Sequence, residues 1–176
     1  WAISPGGPEE GVGLYRIEVN EAPGSGVKVI NRPVPPPFSE SLRCAEQNLV
    51  SRARELVGDR EPRQHEFTVQ LRAFDTPKSG AALGIPVLLA MASALLEKSL
   101  AGGLAAVGHV NLGGGIDPVY NAVDIAELAV EKGATTVLMP VSARRQLNDL
   151  SDEMATKLTV VFYSDARDAL VKSLAD

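Results

Sequence analysis

A chain of 176 residues with 45% apolar and 22% charged side chains is long enough for one domain with a real core, and this composition excludes a disordered polymer. The formal charge of −5 is spread along the chain with no basic stripe, so direct binding of duplex DNA by this segment is not expected. One cysteine, Cys44, excludes an internal disulfide framework and fits a reducing cytoplasm. With two distant histidines, His65 and His109, it makes no case for a zinc site.

Residues 1–12 are rich in Pro and Gly and read as a linker or trimmed boundary, with the domain over 13–176. Trp1 is followed by no signal peptide, and the chain is read as a piece of a longer protein. Gly13–Asn20 alternates as a strand. The turn Pro23-Gly24-Ser25-Gly26 then predicts a hairpin with a returning strand at Val27–Ile30. Pro33–Pro37 predicts no regular structure. Ser39 or Ser41 is expected to cap a helix running to about Val57, with Leu42, Ala45, Leu49, Ala53 and Leu56 as its apolar face.

Phe67, Val69, Leu71 and Ala73 alternate with polar residues and predict a half-buried strand, followed by a loop over Asp75–Gly80. The apolar run Ala81–Leu96 is too short and too interrupted by Gly84, Pro86 and Ser93 to span a membrane. It predicts a buried helix, and Pro86 in the first turn places its start near residues 82–85. Leu104–Leu112 and Ile116–Val119 flank Gly113-Gly114-Gly115 and predict a second hairpin. These glycines lead into a strand and lack a following Lys-Ser/Thr, which excludes a nucleotide-binding loop. A helix over Tyr120–Lys132, a strand over Thr135–Met139, a short helix near Ser142–Leu147, a strand over Leu158–Phe162 and a helix over Ala166–Leu174 complete an α+β or mixed α/β domain.

The order of elements and several segments resemble the C-terminal proteolytic domain of Lon proteases. That family carries a loop Pro-Lys-Asp-Gly-Pro-Ser-Ala-Gly, and this chain reads Pro77-Lys78-Ser79-Gly80-Ala81-Ala82-Leu83-Gly84. The family's Thr-Gly-Glu and Pro-Ile-Gly-Gly-Leu-Lys-Glu-Lys segments correspond to Val107-Gly108-His109 and Pro118-Val119-Tyr120-Asn121-Ala122-Val123-Asp124-Ile125. Gly133–Pro140 resembles the family's Gly-Ile-Lys-Thr-Val-Leu-Ile-Pro. Gly133–Lys157 is also similar to the Lon-like proteins of bacterial BREX phage-defence systems.

The resemblance implies a ribosomal-protein-S5-domain-2-like fold and a Ser–Lys dyad. It places the nucleophile on Ala82 and the general-base lysine on Val123, or on Ile125 if spacing from Ala82 is counted instead. Neither a methyl nor a branched alkyl group can attack a carbonyl or accept a proton, so a domain without peptidase activity is expected. The alternative is an active ATP-dependent serine peptidase using Ser79 with Lys78, although neighbouring side chains in an extended loop point apart. His109 is a candidate replacement base. No cofactor or metal is expected in this domain. By resemblance, ATP and Mg would sit on an AAA+ module upstream, DNA would be met by other parts of the protein, and copies would form a hexameric ring in the cytoplasm with no membrane contact.

Overall fold

A computed structural model describes residues 1–6, 11–30, 34–74 and 79–175. Seven strands form one mixed sheet: β1 (Ala2–Ser4), β2 (Gly13–Pro23), β3 (Gly26–Val29), β4 (His65–Ala73), β5 (Leu104–Ala106), β6 (Thr136–Pro140) and β7 (Thr159–Tyr163). Their order is β3-β4-β2-β1-β5-β6-β7. One half is parallel, β1-β5-β6-β7, and β2–β4 is a long antiparallel pair. The six α-helices are α1 (Pro36–Ser51), α2 (Ala53–Val57), α3 (Gly84–Leu96), α4 (Ala122–Glu131), α5 (Asp152–Lys157) and α6 (Ala166–Ser173).

Strand alternation splits the core in two. On one side of the sheet, Ala2, Tyr15, Phe67, Val69 and Leu71 pack against α1, α3 and α6. On the other, Ile3, Leu14, Ala105, Val107, Val137 and Met139 pack against α4. α3 is apolar on every side and buried from Gly84 through Leu89, as a helix between a sheet and two other helices must be. α4 is amphipathic, with Ile125, Ala126 and Ala129 inward and Asp124, Glu127 and Glu131 outward. It covers only the β1-β5-β6-β7 half. On the same side, β2 and β4 present Arg16, Glu18, Asn20 and Arg72 to solvent.

Several expectations are corrected. The first hairpin does not form. β3 pairs in parallel with β4, and β4 lies between β2 and β3. The turn reverses the chain as its residues dictate, but the turn alone does not choose the neighbour. Phe67, Val69 and Leu71 give β4 a fully buried face and the inner position, whereas Val27 and Val29 are only half-buried. The second hairpin shrinks to a bridge between Val110 and Ile116, because Leu104–Ala106 is committed to parallel pairing with β6 and Gly108, at φ +134°, turns the chain out of the sheet.

Pro36 and Pro37 occupy the first turn of α1, where a missing N–H is harmless, so the helix starts at Pro36 and neither Ser39 nor Ser41 is its cap. The stretch expected to be a linker contributes Ala2–Ser4 as a central strand. The helix α5, capped by Ser151, was not expected from the sequence.

Candidate functional site

The loop that the resemblance marks as catalytic leads into α3, and side chains from distant elements hold its backbone. The Gly80 N–H donates to the Tyr15 hydroxyl at 3.0 Å, and the Ser4 hydroxyl donates to the Ala81 carbonyl at 2.8 Å. The Leu83 N–H donates to Ser41 Oγ at 3.1 Å, and that hydroxyl donates in turn to the Pro37 carbonyl at 3.3 Å. The Gly84 N–H donates to His109 Nδ1 at 3.2 Å, and the Ile85 N–H to the Gly108 carbonyl at 3.1 Å. Tyr15, Ser4 and Ser41 are all buried, so each unmade bond would leave a desolvated polar group.

Within this frame Ala82 is half-buried and held at φ +56°. A side chain in the left-handed region costs about 1–2 kcal/mol, so the surrounding bonds impose the conformation. The group presented there is a methyl. Ser79 is half-buried and engaged in the local network, whereas Lys78 lies outside the described residues, as does Asp75.

His109 is not poised as a base. Its Nδ1 accepts the Gly84 N–H, which puts the proton of the neutral ring on Nε2 and assigns the residue to fixing the start of α3. A Cβ at Gly84 would lie 2.6 Å from that nitrogen, so the close approach requires glycine.

The start of α4 is held just as firmly. Gln146 Nε2 donates to the Val119 carbonyl at 2.5 Å, and its Oε1 accepts from the Ala122 N–H at 2.9 Å. Asn121 Nδ2 donates to the Pro5 carbonyl at 2.6 Å. Val123 is half-buried in the first turn, and Ile125 is completely buried in the second core. Neither has a titratable atom.

Other nucleophiles and acids offer no substitute. Burial, then the charges of Glu40 and Asp117, push the Cys44 thiol up and keep it neutral. Burial pushes the Tyr163 hydroxyl well above its ordinary value, and this group donates to the Val107 carbonyl at 2.7 Å. Among the described residues no cluster of His, Cys, Asp or Glu is arranged to hold a metal, and no helix is long and apolar enough to cross a membrane.

Residues 9–176 match the family described as the Lon protease (S16) C-terminal proteolytic domain. The chain belongs to that family. It is 28% identical over 163 residues to the Lon-like protease BrxL of Escherichia coli O9:H4 (strain HS), covering 92% of this chain and 24% of that protein. It is 29% identical over 155 residues to a Lon protease of Methylocella silvestris, covering 88% of this chain and 19% of that protein. With a Lon protease of Heliobacterium modesticaldum the identity is 25% over 169 residues, covering 96% and 21%. The chain therefore spans about a fifth to a quarter of the length of these relatives. The mixed α/β architecture with its seven-stranded sheet agrees with a Lon C-terminal domain.

Sequence reasoning missed the residues that hold the Lon-type loop. Ser4 sits in a stretch too rich in Pro and Gly to suggest a strand, and Tyr15 and Ser41 act across separations of 65 and 42 residues. Gln146 carries no local signal of its role at α4.

Proposed function

We propose that this is a catalytically silent Lon-type domain that serves as a structural, self-associating part of a longer AAA+ protein acting in phage defence. The carrying observation is the pairing of a firmly held Lon-type loop with apolar side chains at both dyad positions, Ala82 and Val123 (or Ile125). A Ser–Lys dyad needs an oxygen nucleophile and an amine within hydrogen-bond reach, and these positions supply neither. Val123 supports the first alignment, because its half-buried place in the first turn of α4 suits a side chain that faces a solvent-reached site, whereas Ile125 fills the core.

The similarity to BrxL supports the defence role. The short share of each relative that this chain covers supports a larger protein, in which ATP and Mg bind a separate module and DNA is met elsewhere. The self-associating part of the reading extends to a hexameric ring, and its setting is the cytoplasm.

The test is casein hydrolysis by the full-length protein with ATP and Mg. The expected result is no cleavage above a buffer control. Robust cleavage abolished by Ser79→Ala would instead establish a peptidase built on Ser79 with Lys78.

A further inference from the structure

The side of the sheet that α4 only partly covers carries an unusual surface group. Trp1 and Phe74 meet edge to face, with ring centroids 4.8 Å apart, and are 49% and 42% exposed. Arg16 lies over the Trp1 ring at 5.8 Å and Arg72 over the Phe74 ring at 5.7 Å. Arg16 and Arg72 are direct cross-strand partners in β2 and β4. Arginines are thus laid on exposed rings in one compact square. Trp and Arg dominate the energetic centres of protein interfaces, because they bury large rigid area while keeping polar contacts.

The complementary charge lies beside it. Asp124, Glu127 and Glu131 form one exposed stripe along α4, and among the described residues none of them makes an ion pair. Both features are on the same side of the sheet. Trp1 and Arg16 alternate with Ala2 and Tyr15, which point into the core on the opposite side. The stripe borders Val12 and Leu128, and the far end of α4 reaches Trp1, where Lys132, Leu14 and Trp1 line one small hollow.

We infer that this side of the domain pairs with a second copy of the chain about a two-fold axis. The α4 stripe of each copy would lie against the Trp1–Arg16–Arg72–Phe74 square of the other. Because donor and acceptor patches sit side by side on one surface, two-fold pairing satisfies both at once. A head-to-tail ring would need them on opposite sides. The inference extends the self-association in the proposed function and adds a contact that a ring alone does not contain.

The experiment is sedimentation equilibrium on the 176-residue chain and its charge-reversal variants, with thermal melts to confirm folding. The wild type should dimerise, with affinity falling as salt rises. Arg72→Glu and Glu127→Lys should each raise the dimer Kd about tenfold or more, and the double variant should restore most of the loss. A chain that stays monomeric, a dimer indifferent to either reversal, or a double variant no better than the singles would overturn the inference. So would displacement of the dimer by a single-stranded oligonucleotide, which would assign the rings to base stacking. None of these readings involves peptide hydrolysis. Failure here would leave the silent-domain reading standing, and casein cleavage would leave this pairing standing.

Discussion

Gly108→Ala is expected to destabilise the domain by about 3–5 kcal/mol, as positive-φ strain and overpacking add. Gly108 has φ +134°, a conformation that side chains rarely adopt. A Cβ there would also fall on the Tyr163 hydroxyl, well inside contact distance, and 3.4 Å from the Pro140 ring. Tyr163 cannot step aside cheaply. It is 1% exposed, packs in the first core, and its hydroxyl holds the Val107 carbonyl. The same glycine offers its carbonyl to the Ile85 N–H, so the damage would reach the start of α3.

Urea unfolding of the variant checks the size of the loss. Adding Tyr163→Phe should recover part of it, since the worst contact is with the hydroxyl and the ring carbon behind it is 3.1 Å away. A cost below about 1 kcal/mol would show that the turn relaxes freely and that Gly108 is not a fixed point of the loop's frame.

The second large effect is expected at Asn48, which is fully buried in α1. Its Nδ2 donates to the Cys44 and Asn111 carbonyls, both at 2.8 Å, and its Oδ1 accepts from Arg52 Nε at 3.3 Å. Arg52 then reaches the Gly113 carbonyl at 2.6 Å, and Asn111 Oδ1 accepts the N–H groups of Gly113 and Gly115, each at 3.0 Å. One buried amide therefore ties α1 to the glycine turn.

Asn48→Ala should cost about 2–4 kcal/mol, because it leaves the Asn111 carbonyl desolvated without its donor and opens a cavity. It should also speed hydrogen exchange at Gly113 and Gly115 while sparing β6 and β7. Unchanged exchange in the turn would mean that Arg52 alone secures it.

How far the sequence spoke depended on the range of the interaction. Periodicity found β2, β4, α3 and α4 because each has a continuous apolar face, and Pro86 marked the start of α3. Partner choice was hidden. The turn after Pro23 looks like a hairpin, yet pairing is decided by the buried face of β4, some forty residues on. The proline run before α1 read as a break because proline obstructs helix interiors, but it is harmless in a first turn.

The Lon-type loop was legible as a motif and the two apolar dyad positions as single letters. The bonds that shape it were not, since Ser4, Tyr15, Ser41 and His109 converge only once the sheet has formed. What those bonds add is the reason an alanine tolerates a left-handed conformation at residue 82. Backbone strain of this kind tends to persist at functional positions, and here it outlasts the hydroxyl that would use it.

The central claim is that a Lon-type frame persists without a reactive serine. Its most direct test is the intact mass of the protein after exposure to a fluorophosphonate probe, with peptide mapping of the loop that contains Ser79 and Ala82. No adduct is predicted, in the isolated chain or in the full-length protein with ATP. A stoichiometric adduct on Ser79, lost in Ser79→Ala, would contradict the account and identify an active serine in the same loop.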